Sequence, residues 1–488
     1  MDQTLRDGQQ SHWGMTMRAG MILPIASVMD RAGFKVIDLT GSSIFEVLIK
    51  RCREDPWEGL RLIRAAMPNS KLRSAVRSNG TVTFGLTPSS VIDLWVQTLC
   101  RNGINSFWIY DTLFNIDKIG RIAKVAKANG AQAIAAIMYT LSPVHTDDYY
   151  AEKAGRLAAL DVDGLYIEDT AGVLTPERAR TLIPAIQSNA EGLPIEMHFH
   201  NPTGLAPLCY IEGIRLGVTT IHTASRPLAN GPSLPSTESM VENIRRLGHS
   251  CDLDQEGLKM IADHFSDVAA GEGLPVGIPA EFELSTYDHQ LPGGMMGTLL
   301  NQLRDRGMES RIDEVLEEAG IIRCELGYPP MATPLSQIVG IQAVLNLTTA
   351  ERYEVVPDEL LMYALGHYGE VPGEIDPNVL EKIMSSHRAR ELSQSEPYQP
   401  TIDEIRRTIP HTSDEDLLLR VLVPDEDIHA MLQSGPIRTN YKRPSSPEIA
   451  LVQALLQEDR FNYLSLQREG LLVSLGKRSS HGTPSRNE

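Results

Sequence analysis

The feature that most constrains this chain is a regular alternation, through its first half, of short apolar runs with amphipathic stretches. The runs Thr4–Asp7, Val36–Thr40, Leu72–Arg77, Phe107–Asp111, Ala131–Tyr139, Leu165–Asp169, Ile195–His200 and Thr220–Ser225 are short and apolar, and they read as strands. Between them, Pro88–Arg101, Asp117–Ala128, Tyr149–Leu160, Pro176–Ser188 and Leu205–Leu216 carry apolar residues at helical spacing. Eight strands with a helix after each, at a spacing of about 25–35 residues, is the arithmetic of an α/β chain folded as a (β/α)8 TIM barrel. An open doubly wound sheet is the alternative, and the lack of a Gly-x-Gly-x-x-Gly after the first run tells against it. The first run opens at Met1, whereas such a barrel needs a few residues beforehand to cover its bottom, so a true N-terminus upstream is expected.

Beyond about residue 250 the strand signal fades. Leu299–Arg306, Arg311–Ala319, Leu335–Leu347, Asp358–Leu365 and Pro377–Ser386 read as helices, and Ser393–Thr401 as a loop. At 488 residues more than one core is expected. The division that follows is a barrel over 1–255, a mainly helical C-terminal domain over 256–430, and a variable tail over 431–488. The end of that tail, Gly476–Glu488, is polar, rich in Ser and Gly, and expected to be disordered.

In a barrel of this kind chemistry gathers at the C-terminal ends of the strands. Arg6 and Asp7 end the first run, Arg77 the third, Asp111 the fourth, Glu168 and Asp169 the sixth, and His198 and His200 the seventh. His198 and His200 stand at i, i+2, the spacing that puts two side chains on one face of a strand. Two imidazoles with the carboxylate of Asp7 make a divalent-metal site able to polarise a carbonyl. The plainer reading of His-x-His is a hydrogen-bonded pair at a strand end. Arg6 could hold a developing enolate oxygen or a carboxylate, or could tie the first strand to a neighbour by a salt bridge. Donors of these types suit zinc, manganese or cobalt better than magnesium.

Composition narrows the field. With 45 basic and 63 acidic residues the net charge is −18, a poor match to nucleic acid or an anionic membrane. No apolar run approaches the roughly 20 residues that span a bilayer, and no signal peptide opens the sequence. The five cysteines (Cys52, Cys100, Cys209, Cys251, Cys324) form no CxxC pair, which suits a reducing cytoplasm.

Several longer segments carry a resemblance. Asp2–Ser11 (DQTLRDGQQS), Arg53–Leu60 (REDPWEGL), Tyr139–Tyr150 (YTLSPVHTDDYY), Asp169–Pro176 (DTAGVLTP), His289–Gly294 (HQLPGG) and Leu326–Asn346 (LGYPPMATPLSQIVGIQAVLN) resemble the carboxyltransferase domain of biotin-dependent enzymes. That family includes pyruvate carboxylase, the oxaloacetate decarboxylase alpha subunit and the pyruvate-binding subunit of transcarboxylase. Glu351-Arg352-Tyr353 and Asp414–Val421 extend the match, so it covers roughly residues 1–430. The resemblance implies a metal on Asp7, His198 and His200, with Arg6, Gln10 and Arg77 around a pyruvate enol and its carboxylate. It also implies a homodimer or larger homo-oligomer.

The departures are concentrated. Where the family has a carboxylated lysine as fourth metal ligand, this chain has Glu168, shorter by three linked atoms or about 3–4 Å of reach. Either the metal lies closer to that strand, or a water bridges, or Glu168 points elsewhere. The family's proton-shuttling Thr or Ser falls on Gly297. A family tyrosine becomes Phe84, an arginine Trp108, a histidine Gln9, and His200 precedes Asn201-Pro202 rather than Asp-Thr. No Ala-Met-Lys-Met biotinylation site is present, so any biotin sits on a separate carrier protein. Three functions follow as expectations. The first is a carboxyltransferase or decarboxylase subunit acting on a small 2-oxo acid with that carrier. The second is a biotin-independent, metal-dependent carbon–carbon lyase or synthase on an oxo acid or acyl-CoA, resembling isopropylmalate synthase and hydroxymethylglutaryl-CoA lyase. The third is a non-catalytic paralogue.

Overall fold

The computed structural model describes residues 1–81, 85–305, 307–394, 397–409, 412–441, 463–468 and 471–476. Seven parallel strands follow one another in sequence order: β1 (Ile37–Thr40), β2 (Leu72–Arg77), β3 (Ser106–Tyr110), β4 (Gln132–Met138), β5 (Gly164–Asp169), β6 (Ile195–Phe199) and β7 (Thr220–Ile221). The first residues of the chain close the ring. Asp2 pairs in parallel with Ile37 on one side and Thr223 on the other. Its N–H donates to Val36 O at 3.0 Å, and the Gln3 N–H donates to Thr223 O at 2.8 Å. Helices Ser89–Arg101, Ile116–Ala128, Asp147–Ala158, Pro176–Asn189 and Ala206–Arg215 follow β2 to β6. The barrel and its helical successor agree with the expected fold class.

The first run is a correction. Thr4–Asp7 is not a strand; Thr4–Gly8 form a wide helical turn that runs into the helix Gln9–Trp13. Asp2 is the cause: its carboxylate accepts the Thr4 N–H at 3.1 Å and the Thr4 hydroxyl at 2.6 Å. A short acidic side chain bonding the backbone two residues on turns a strand out of its ladder. Arg6 and Asp7 therefore reach the mouth of the barrel on a turn rather than on a strand end.

The register sorts side chains into two faces. Outward, Ile109, Ile137, Ile167 and Met197 are buried against the surrounding helices. Inward, β1, β2, β3, β5 and β6 present Asp38, Arg73, Trp108, Tyr166, Glu168, Glu196 and His198, all buried. Barrel interiors are ordinarily filled by branched apolar side chains. A polar interior is tolerable only where its groups are paired, and most of these find partners in one another.

A second apolar core lies C-terminal to the barrel, with Leu291, Leu303, Val315, Ile322, Leu335 and Val339 among its members. It is built from helices Gly293–Asp305, Ile312–Glu325, Leu335–Thr348, Asp358–Ala364 and Pro377–Met384. Helix Gln255–Glu272 packs instead with the barrel, through Ile261, Phe265 and Val268. The chain then returns. Helices Asp414–Leu422 and Asp425–Gln433 lie on the outside of the barrel, where Arg61 meets Glu415 at 2.9 Å and Arg53 meets Asp427 at 2.9 Å. The two cores touch where Arg323 Nη2 donates to Leu141 O at 2.6 Å and the Thr170 hydroxyl donates to Met331 O at 3.1 Å. In the tail, Tyr463–Arg468 and Leu471–Gly476 pair as an antiparallel hairpin. The expectation of disorder at the end of the chain falls, from residue 477 on, outside the described residues. Among the described residues no helix is long and apolar enough to cross a membrane.

Candidate metal centre

Along the inner face of β6, Glu196 and His198 alternate with Met197 and Phe199, and His200 follows at the strand end. The turn Thr4–Gly8 lies across the mouth and lowers Asp7 onto the two imidazoles. His198 Nε2 and His200 Nε2 are 3.2 Å apart, and Asp7 Oδ2 lies 3.7 Å from the first and 3.5 Å from the second. All three side chains are buried. His200 is anchored by Nδ1, 2.7 Å from Pro232 O, and His198 by Nδ1, 3.1 Å from His222 Nδ1. Arg6 Nη1 donates to Asp7 Oδ2 at 2.5 Å, and its guanidinium lies 4.7 Å over the Trp108 ring. Trp108 in turn stacks on Tyr166 (centroids 4.9 Å), and Tyr166 on His198 (5.2 Å).

The electrostatics follow from this geometry. Burial works against the Asp7 carboxylate, yet His200, His198 and Arg6 hold it well below the usual carboxylate range. Burial, more than any neighbour, drives His198 well below an ordinary histidine. His200 goes the other way, to about 9, because Asp7 and its other acceptors outweigh its burial. Without a cation, one proton belongs on His200.

The donor set fits a divalent metal. Three donors about 2.1 Å from one ion at tetrahedral angles stand about 3.4 Å apart, and the three here are separated by 3.2, 3.5 and 3.7 Å. Two imidazoles and a carboxylate, buried together, are the ligand types of a catalytic site that keeps an open position.

Glu168 stands beside this trio but outside it. It pairs in register with His198 across β5 and β6 and shares its inward face. Its buried Oε2 has no hydrogen-bond partner, and burial pushes the carboxyl up to about 7 despite Arg6 and His200. Arg77 ends β2, buried on the inner face beside Tyr110. Gln10 is not gathered in; it is exposed on the helix Gln9–Trp13. Asp111 and Asp169 serve loops: Asp111 accepts the Leu113 N–H at 2.9 Å and bonds Ser78, and Asp169 accepts the Leu174 N–H at 2.7 Å. Gln9 braces its own segment, donating to Leu5 O and accepting from Met17 N. Asn201 Oδ1 accepts the Ala206 N–H at 3.3 Å. Gly297 lies within the helix Gly293–Asp305, and Phe84 falls outside the described residues.

Sequence reasoning missed the layer below the trio. Arg73, Glu196, His222, Gln3, Asp38 and Trp108 are joined there by hydrogen bonds. One signal was available: Glu196 stands two residues before His198 and so shares its face of the strand.

Residues 286–446 match the family described as "Conserved carboxylase domain", and residues 112–264 match the family described as "HMGL-like". A pyruvate carboxylase subunit of Methanocaldococcus jannaschii is 37% identical over 387 residues, which span 79% of this chain and 68% of that protein. Its counterpart in Methanothermobacter thermautotrophicus, also a pyruvate carboxylase subunit, is 32% identical over 455 residues, 92% of this chain and 80% of that one. Among solved structures, the carboxyl transferase domain from Rhizobium etli pyruvate carboxylase with pyruvate superposes with a TM-score of 0.80 at 25% identity, covering 89% of this chain and 76% of its own. A buried His-His-Asp trio at the mouth of a parallel barrel, a helical successor, and relatives aligned through both halves lead to one assignment: the chain belongs to the carboxyltransferase family of biotin-dependent carboxylases and is an enzyme of that kind.

Proposed function

We propose that this protein is a metal-dependent carboxyltransferase or decarboxylase subunit that acts on a small 2-oxo acid of the pyruvate and oxaloacetate type. The observation that carries the reading is the burial of Asp7, His198 and His200 with their donor atoms 3.2–3.7 Å apart, directly beside Arg6. Those three residues would hold a zinc, manganese or cobalt ion, with Glu168 as the adjacent carboxylate. When bound, the ion supplies Lewis acidity toward the keto oxygen of the substrate. The chain's own residues do the rest. Arg6 bonds Asp7 through Nη1 and keeps further N–H donors for a carboxylate or an enolate oxygen. Trp108 supports the guanidinium from beneath, and a desolvated cation over an indole face is held by an attraction of about 2 kcal/mol. Arg77, at the end of β2, is the second cation of the mouth. Glu168, with a carboxyl poised at about 7, is suited to hold or release a proton at neutral pH. Biotin, carried on a separate protein, would present the carboxyl group at the mouth. The two archaeal relatives are themselves named as subunits, which fits a reaction shared between chains.

One specific observation favours a second reading, a biotin-independent carbon–carbon lyase. The "HMGL-like" match covers Glu168, His198 and His200, and at 168 a genuine carboxylate stands in place of the lysine that the carboxyltransferase resemblance implies. The deciding experiment incubates metal-loaded protein with oxaloacetate and follows pyruvate release with and without free biotin. Metal-dependent release stimulated by biotin is expected. Release indifferent to biotin transfers the assignment to the lyase, and no release from fully loaded protein rules out both on this substrate.

A pH dependence follows from His200. Its proton competes with the cation at every pH below about 9. Raising the pH removes the competitor, so the apparent Kd for Co2+ is expected to fall about tenfold per unit from about pH 6.5 to about pH 8.5. Calorimetry in buffers of different ionisation enthalpy should show close to one proton released per ion at pH 7. An affinity flat across that range would contradict a protonated His200.

A further inference from the structure

Beneath the trio lies a chain of hydrogen bonds whose directions can be worked out from one end to the other. Glu196 receives Arg73 Nη1 at 2.5 Å and Nη2 at 3.1 Å, and its Oε2 is 3.0 Å from His222 Nε2. A carboxylate gripped by two guanidinium N–H groups can only accept, so His222 carries its hydrogen on Nε2. The opposite nitrogen is fixed independently. Gln3 Nε2 lies 3.1 Å from Asp38 Oδ2 and 3.3 Å from His222 Nδ1. The same Asp38 oxygen accepts the Trp108 indole N–H at 3.0 Å, which makes it an acceptor and sets the Gln3 amide with its NH2 toward it. The second hydrogen of that NH2 then faces His222 Nδ1, which must offer a lone pair. His198 Nδ1 is 3.1 Å from the same atom. Since His222 Nδ1 has no hydrogen to give, the hydrogen of this contact belongs to His198. The remaining nitrogen of His198, Nε2, is left bare and faces Asp7 Oδ2 and His200 Nε2.

We infer that His222 is a positioning residue that locks His198 in its Nδ1–H tautomer and so presents the Nε2 lone pair to a cation, with Arg73–Glu196 and Asp38–Gln3 fixing His222 from its two sides. The consequence for metal binding rests on the function proposed above; the tautomer itself does not. The ring nitrogen that a metal-binding histidine does not use is normally held by such a partner, and loss of the partner weakens binding about 10–100-fold. Packing alone would not require this arrangement, because a phenyl ring at 222 could keep the edge-to-face contact with Tyr166 (centroids 4.7 Å).

The test uses the full chain. In metal-free protein labelled with 15N-histidine, two-bond proton–nitrogen correlations report which ring nitrogen bears hydrogen, and the spectrum of His198→Gln identifies the His198 signals. His198 is expected as the Nδ1–H form. His222→Phe removes both nitrogens and leaves the Arg73–Glu196 pair intact. His222→Asn restores an acceptor where Nδ1 stood. His222→Phe is expected to bind Co2+ about 10–100-fold more weakly than the parent, and His222→Asn to stay within about threefold of it. Folded His222→Phe with the parent's affinity, or an Nε2–H His198 in the parent, overturns the inference. If His222→Phe fails to fold, the parent's tautomer and the affinity of His222→Asn still decide it. If the parent binds no Co2+ at all, the metal reading falls by itself, and the tautomer stands or falls on its own spectrum.

Discussion

His198→Ala and His200→Ala are each expected to abolish stoichiometric Co2+ or Zn2+ binding and to lower turnover at least about 10³-fold, the scale of losing a Lewis acid that carries several kcal/mol of transition-state stabilisation. Each replacement leaves two donors where three converge, and Asp7 keeps one imidazole of the trio beside Arg6. The metal-free fold should survive, because both imidazoles stand at the end of one strand and the 3.2 Å contact between their Nε2 atoms joins no two elements. Metal content after gel filtration, read beside a thermal melt, separates loss of the ion from loss of structure. Full turnover in the double variant, or metal retained by it, would refute the site.

The second large effect is on stability. Arg73 is fully buried and holds Glu196 by two hydrogen bonds. Arg73→Met leaves a buried carboxylate with His222 as its remaining partner, and breaking a buried pair from one side is expected to remove about 3–5 kcal/mol. Replacing both partners, Arg73→Met with Glu196→Leu, leaves no unpaired charge and should recover part of that loss, the remainder going to the His222 Nε2–H that loses its acceptor. The midpoints of urea transitions for the parent, the single and the double variant make the comparison. A single variant as stable as the double one would show that the pair is not the keystone of the barrel interior.

Much of the scaffold was legible from the chain alone, for a physical reason. β2 to β6 are buried on both faces, so they appear as near-continuous runs bounded by turns, and these five differ from the expected runs by at most one residue at each end, whereas β7 stops four residues short of Ser225. The first run failed because a single local contact, Asp2 to Thr4, outweighs the alternation of Thr4, Leu5, Arg6 and Asp7. The Asp7–His198–His200 trio was legible because two of its members sit on one strand at i, i+2. Gln10 was named by the resemblance alone, and the turn that carries Asp7 inward leaves it exposed on the helix Gln9–Trp13. The column beneath was illegible for a different reason. Arg73, Glu196, His222 and Gln3 come from β2, β6, the residues just after β7, and the closing segment. Only the closure of the ring makes them neighbours, and no spacing along the chain records that.

The return of helices Asp414–Leu422 and Asp425–Gln433 to the barrel wall has a mechanical meaning. The second core leaves the barrel after Glu272 and comes back before Asp414, so it is suspended like a handle riveted at both ends. Between those ends it is also seated on the barrel: Leu113, from the loop after β3, belongs to the second core, Ala332 to the first, and Gln290 hydrogen-bonds Thr140 and Leu141. Arg323 on Leu141 and Thr170 on Met331 add to that seat, set on the loops that follow β4 and β5. A protease cut in one connection is therefore expected to leave the other, together with these contacts, still holding the second core on the barrel.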